Sequence, residues 1–95
     1  MHYEKDANGY EGLANRIIYY AFLDAKRAKR NYLKQLKEYD QKVADGEDEE
    51  TLRTNLKRAK ARYEREKYWF NTEWFLTLSR GLIDSNAIIE EIERG

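Results

Sequence analysis

From Leu13 onward, apolar and small side chains recur at helical spacing. Ala14, Ile17, Ile18, Ala21, Ala25, Ala28, Tyr32, Leu36, Tyr39 and Val43 fall within about one third of a helical wheel drawn at 100° per residue. This stripe predicts one amphipathic helix over 13–44, preceded by a flexible lead over 1–12. A second stripe runs from Leu52 through Leu56, Ala59, Tyr63, Phe70, Trp74 and Leu78, with Glu66 and Lys67 on its margins, and predicts a second helix over 47–70. Between them, Gly46 suits a left-handed helix end, and Glu47, Asp48, Glu49 and Glu50 suit a helix N-terminus, where the macrodipole favours acids. So short a link forces the helices antiparallel.

Facing positions in an antiparallel pair have residue numbers of nearly constant sum, and here a sum of about 91 aligns the stripes. Tyr39 then faces Leu52, Leu36 faces Leu56, Tyr32 faces Ala59, Ala28 faces Tyr63 and Ala21 faces Phe70. At the last three levels a large residue meets an alanine, which is what closely packed helices need. The same register sets Asp24 level with Lys67 and predicts an ion pair between them, partly buried.

Past Phe70 no single helical face can hide Tyr68, Trp69, Trp74, Phe75, Leu76 and Leu78. The chain is expected to break into two short helices over 72–94, capped by Asn71 or Thr72 and by Asp84 or Ser85, with Gly81 ending the first. Tyr19, Tyr20 and Leu23 lie opposite the first stripe, where these segments should fold back. The expected architecture is all-α: one domain over 1–95, a long helical hairpin with the two short helices packed at its base. Tyr19, Tyr20, Trp69, Trp74 and Phe75 read either as the core of that base or as an exposed aromatic patch for a partner.

At 95 residues the chain holds one small domain. Its mean hydropathy is −1.02, and no apolar run approaches the roughly 18 residues a membrane span needs. Residues 1–10 lack the basic and apolar parts of a signal peptide, so a cytosolic protein is expected. There is no cysteine, and the one histidine is His2, which removes thiol nucleophiles, disulfides and zinc knuckles together. No glycine-rich phosphate loop, paired histidine spacing or calcium loop is present. The residues therefore point away from catalysis, and imply neither a cofactor nor a metal.

Lys and Arg number 18, as do Asp and Glu, but the zero net charge hides segregation. Residues 26–37 carry six basic side chains and no acid, and residues 53–67 carry seven against Glu64 and Glu66, a net +11. Side by side in the hairpin, they form a basic belt around its middle. Residues 38–50 hold seven acids against Lys42, a net −6 at the tip. A thin two-helix arm must be wet and therefore charged, yet same-sign neighbours such as Lys26 with Arg30 and Arg58 with Arg62 accumulate repulsion that an anion would offset. The candidate contact residues are Lys26, Arg27, Arg30, Lys34, Arg58, Arg62 and Arg65. Their candidate ligands are nucleic-acid phosphates, a phosphorylated small molecule or the acidic tip of another copy. Glu47, Asp48, Glu49 and Glu50 could alternatively enter a basic nucleic-acid cleft as a mimic.

Tyr10, Leu13, Ala14, Asn15, Ile17, Ile18, Ala21, Asp24, Ala25, Arg27 and Ala28, followed by the run from Trp69 to Phe75, then Leu78, Ile83, Asp84, Ile88 and Ile89, carry a likeness. They resemble a group of small proteins encoded by phages and prophages of Gram-positive bacteria. That group pairs an early "LAxAI…DYRxA" helix with a late "FFxSxWFxxL…D…LI" segment. The resemblance covers about half the chain and departs at Ala25, where the group often has Tyr, and throughout the charged hairpin. It implies a viral accessory protein in the bacterial host cytoplasm, binding a host protein or ribonucleoprotein, defence systems of the anti-CRISPR kind included. Three functions are thus expected in this order: a non-enzymatic inhibitor of a host factor, the blocking of a nucleotide signal included; a nucleic-acid-binding accessory protein; and a self-assembling structural protein.

Overall fold

The computed structural model describes residues 10–94, with side chains from residue 16 on, and among these residues the fold is all-α. Helix α1 spans Tyr10–Ala44, α2 Glu49–Tyr68, α3 Glu73–Ser79 and α4 Ser85–Arg94; a single 3-10 turn, Trp69–Asn71, joins α2 to α3. Helix α1 thus starts three residues before the apolar stripe, and α2 starts two residues later and ends two residues earlier than the pattern predicts. The rest of the lead, residues 1–9, and His2 with it lie outside the described residues. No helix among the described residues is long and apolar enough to cross a membrane.

Local chemistry explains each boundary. Gly46 takes φ +89°, and the amides of Gly46 and Glu47 donate to the carbonyls of Val43 and Lys42, closing α1 in the left-handed way that glycine allows without a Cβ penalty. Asp48 caps α2, its carboxylate accepting from the Thr51 amide at 3.2 Å and the Thr51 hydroxyl at 2.5 Å. Thr72 caps α3 through the Phe75 amide. Arg80 (φ +55°) and Gly81 (φ +70°) reverse the chain after α3, and the Asp84 carboxylate accepts from the Asn86 amide at the start of α4.

Helices α1 and α2 make the antiparallel hairpin, and α3 and α4 close one side of its base within an envelope of 57 × 22 × 19 Å. The core lies in that base. Phe70 and Phe75 are wholly buried with ring centroids 5.0 Å apart, and Trp69 meets both edge-on at 5.1 and 5.8 Å. Ile18 and Ala25 of α1 and Ile89 and Ile92 of α4 complete the cluster. Burial of each large side chain contributes about 1.5–3 kcal/mol, and the edge-on rings add to that. Along the hairpin only Ala28 and Ala59 are buried outright, and the Tyr32 and Tyr63 rings stack beside them at 6.2 Å. Those are the levels where the sequence sets a large side chain against an alanine.

Three expectations are corrected. Tyr19 and Tyr20 are exposed, because α3 and α4 pack against the Ile18, Phe22 and Ala25 flank of α1, whose alanine lets a helix approach closely. Trp74 is 66% exposed. The 3-10 turn resets the helical phase, so Phe75 and Ser79 turn inward in its place. Finally, Asp24 and Lys67 do not pair: Asp24 meets Arg27 on its own helix at 3.6 Å, while Lys67 meets Glu93 of α4 at 3.1 Å. Lys67 lies on the edge of α2 that α4 covers, and Asp24 on the opposite edge of α1.

Candidate functional site

Two edges of the hairpin seam differ in chemistry, and helix periodicity decides which residues belong to each. On one edge, Lys29 of α1 and Lys67 of α2 reach α4. The Lys29 ammonium donates to the Ile92 carbonyl at 3.1 Å and to the Glu93 carbonyl, meeting the negative end of the α4 dipole. Lys67 is buried, bonds Glu93, and stands 4.7 Å from the ring centroids of both Tyr63 and Tyr68. Burial pulls the Lys67 pKa down, but the Glu93 bond, with the electrostatic pull of Tyr63, Glu93 and Tyr68, outweighs it, so the pKa stands above its ordinary value. Two belt cations are therefore structural.

The other edge is open. Asn31, Lys34, Gln35, Glu38 and Lys42 of α1, spaced three and four residues apart, face Asn55, Arg58 and Arg62 of α2 across a groove of about 500 Å³ floored by Tyr39, Leu52 and Ala59. The tyrosine and the leucine supply an apolar floor, and three carboxamides stand among the cations. Gln35 donates to Asn31 at 3.3 Å. Lys42 reaches Glu38 at 4.0 Å and Arg62 reaches Glu66 at 3.2 Å, whereas Lys34 and Arg58 have no carboxylate partner among the described residues. The groove holds a net positive charge in a concave, partly desolvated setting, where an anion gains more than on an open surface.

The candidate cations divide accordingly. Lys34, Arg58 and Arg62 come together in the groove. Arg65 lies further down the same edge, in a hollow of about 300 Å³ with Ala21, Asp24, Glu66 and Trp69, and Arg27 pairs with Asp24 beside it. Lys26, 5.1 Å from the Phe22 centroid, and exposed Arg30 do not line the groove. At the tip, Asp48 caps α2, and Glu49 accepts from Tyr39 at 3.1 Å and Arg53 at 3.0 Å, tying the first turn of α2 to α1. Hydrogen bonding of Arg53 to Tyr39, and next to Glu49, raises the Arg53 pKa further. Glu47 and Glu50 are exposed. Of the aromatic candidates, Phe75 is buried, Trp69 half-buried, and Tyr19, Tyr20 and Trp74 face outward.

Asn31, Gln35 and Asn55 are the residues that reading by charge overlooks. Their spacing with Lys34, Glu38, Arg58 and Arg62 was available: each set repeats at three and four residues along one edge of its helix. Among the described residues no group of three or more His, Cys, Asp or Glu side chains is placed to hold a metal ion. No protein-family model, curated protein or solved structure matches the chain.

Proposed function

We propose that the protein is a non-enzymatic binding protein that grips the phosphate backbone of a nucleic acid along the open edge of its arm. The observation that carries this reading is the groove itself. Lys34 and Arg58, free of carboxylate partners among the described residues, converge with Arg62 and three carboxamides between two helices. Lysine and arginine neutralise phosphate, amides donate to its oxygens, and none of these contacts reads base sequence. Tyr39 on the floor and Tyr32 and Tyr63 in the seam make poor base-stacking platforms, which favours backbone contact over sequence readout. The acidic tip sets the polarity, repelling phosphate from the far end of the arm.

The test is fluorescence anisotropy with short DNA and RNA duplexes across a salt series. Expected is binding whose log affinity falls with log salt by about 0.9 per phosphate contact on DNA, and which the triple variant K34A/R58A/R62A loses at least tenfold while R30A/K37A, outside the groove, loses far less. Equal losses from both variants would leave only diffuse charge and overturn the groove as the site.

A second reading, the inhibitor of a host factor, has its own observation: Tyr20, Trp74 and Leu82 are 61, 66 and 85% exposed around the base. Large apolar side chains left in water are what a protein partner covers. The likeness of the two chain ends to phage-encoded proteins supports the same reading, and would place it in a bacterial cytoplasm, where a defence complex of the anti-CRISPR kind is one target class. Expression in a host challenged with phage, beside capture from its lysate by wild type and by Y20A/W74A, tests it. Protection of the phage that the double variant abolishes is the expected outcome, and no change in host defence sinks the idea.

A further inference from the structure

The apolar edge of the seam is only half covered. From Lys29 the edge continues outward through Tyr32, Leu33 and Leu36, three or four residues apart, and on α2 from Lys67 through Tyr63 to Leu56. Helix α4 lies along its inner half and ends at Lys29, where the ammonium holds the last α4 carbonyls. Beyond that point nothing among the described residues lies on it. Leu33 and Leu36 are 45 and 48% exposed, and Leu56 and Tyr32 are half-buried, although they continue the stripe that α4 buries. Two helices alone cannot enclose a seam; a third and fourth can.

We infer that this edge is the interface of a symmetric dimer in which two arms pack antiparallel as a four-helix bundle, each acidic tip against the basic belt of the other copy. Charge selects both the occupant and its direction. Whatever lies on the belt must be apolar toward the seam and acidic around it, and the outer half of this arm is both: Val43, in line with Leu36, flanked by Asp40, Asp45 and Glu47. Parallel arms would set a net +11 on a net +11, whereas antiparallel arms set −6 on +11 twice over. The two-fold axis then crosses halfway between the α4 end and the tip, at the level of Leu36 and Lys37, and each tip stops where the α4 of the other copy ends. The overlap is about 22 Å, four turns of each helix. The groove lies on the opposite edge, so this interface stands independently of nucleic-acid binding.

The chain has no cysteine, so a single introduced thiol can pair only with its own copy. Light scattering on the full chain at low salt is expected to give twice 11.4 kDa, falling to one copy for Leu36→Glu with unchanged helicity, because that side chain is half in water already. Charge reversal at the tip, E47K/E50K, is expected to weaken the dimer at low salt without touching the apolar edge. Under oxidation Leu36→Cys, at the axis, crosslinks and Arg30→Cys does not; crosslinking of both denotes parallel arms and overturns the arrangement. A wild-type chain that remains monomeric as concentration rises overturns the dimer itself and hands the edge to another protein. K34A/R58A/R62A is expected to dimerise as wild type does, so failure of the nucleic-acid reading and failure of this one are told apart.

Discussion

The base and the arm of this molecule use the same residue types to opposite ends. In the base, Phe70, Phe75, Ile18, Ala25 and Ile92 are 0 or 1% exposed, and even charged side chains serve packing: Lys29 and Lys67 spend their ammonium groups on α4. In the arm, Tyr32, Leu33, Leu36, Leu52 and Leu56 are half or more in contact with water or only partly covered, and the cations have few partners. A short chain must gather its apolar area in one place to fold at all. What extends beyond that place contributes little to stability and is left available for binding.

The sharpest way to break this division is at the base. Phe75→Ala removes a wholly buried ring in contact with two others, and is expected to cost about 3–5 kcal/mol. Arg58→Ala in the groove is expected to change stability by no more than about 0.5 kcal/mol. Urea unfolding followed by circular dichroism compares the two. Similar losses would mean that stability is spread along the hairpin and not gathered in the base.

The sequence shows the arm better than the base, for a physical reason. A two-helix hairpin obeys one periodicity, so its fold, its glycine turn, the acids at the start of α2 and its large-against-alanine levels can be read from the pattern, while the choice of Asp48 among those acids as the cap comes from the structure. The base is decided by where short helices land in three dimensions. The 3-10 turn at Trp69–Asn71 shifts the phase of everything after it, which turns Trp74 out and Phe75 in; no period in the sequence announces that shift. Likewise the candidate cations are visible as a count, but which of them α4 takes up depends on the edge it chooses. Lys67 stands at the margin of its stripe, but its partner Glu93 lies 26 positions further on, in a helix whose landing place no spacing reveals.

Lys67 joins the two regions, and its replacement gives the next largest effect. Lys67→Ala removes the ammonium between Glu93 and two tyrosine rings and is expected to cost about 1–2 kcal/mol, a figure held down because Glu93 itself is half exposed. Lys67→Met keeps the buried stem and should recover part of that. The pKa is raised in the fold, so the contribution is complete at neutral pH and below the unfolded lysine value, and is lost as pH rises through the folded one. A stability difference between wild type and Lys67→Met that stays level from pH 6 to 9 is the expected result. One that closes within that range would mean the lysine is not held charged by its neighbours.

The smallest effect belongs to the tip, where the division predicts that damage stays local. The Thr51 hydroxyl and amide hold the Asp48 carboxyl below its ordinary value, so its capping contribution is present above the unfolded pKa and fades only as pH falls through the lower folded one. Asp48→Ala leaves the first amides of α2 without that acceptor. Hydrogen exchange at residues 49–52 is expected to speed up, with the melting temperature nearly unmoved, because the turn it frays lies at the far end of the arm from the core. Asp48→Asn keeps an oxygen acceptor for Thr51 and should exchange like wild type near neutral pH while losing the acid-dependent step. If Asp48→Ala instead lowers the melting temperature as much as Lys67→Ala does, the arm folds as one cooperative unit with the base. Its openness would then reflect only the charge of its surface and not a lower stability.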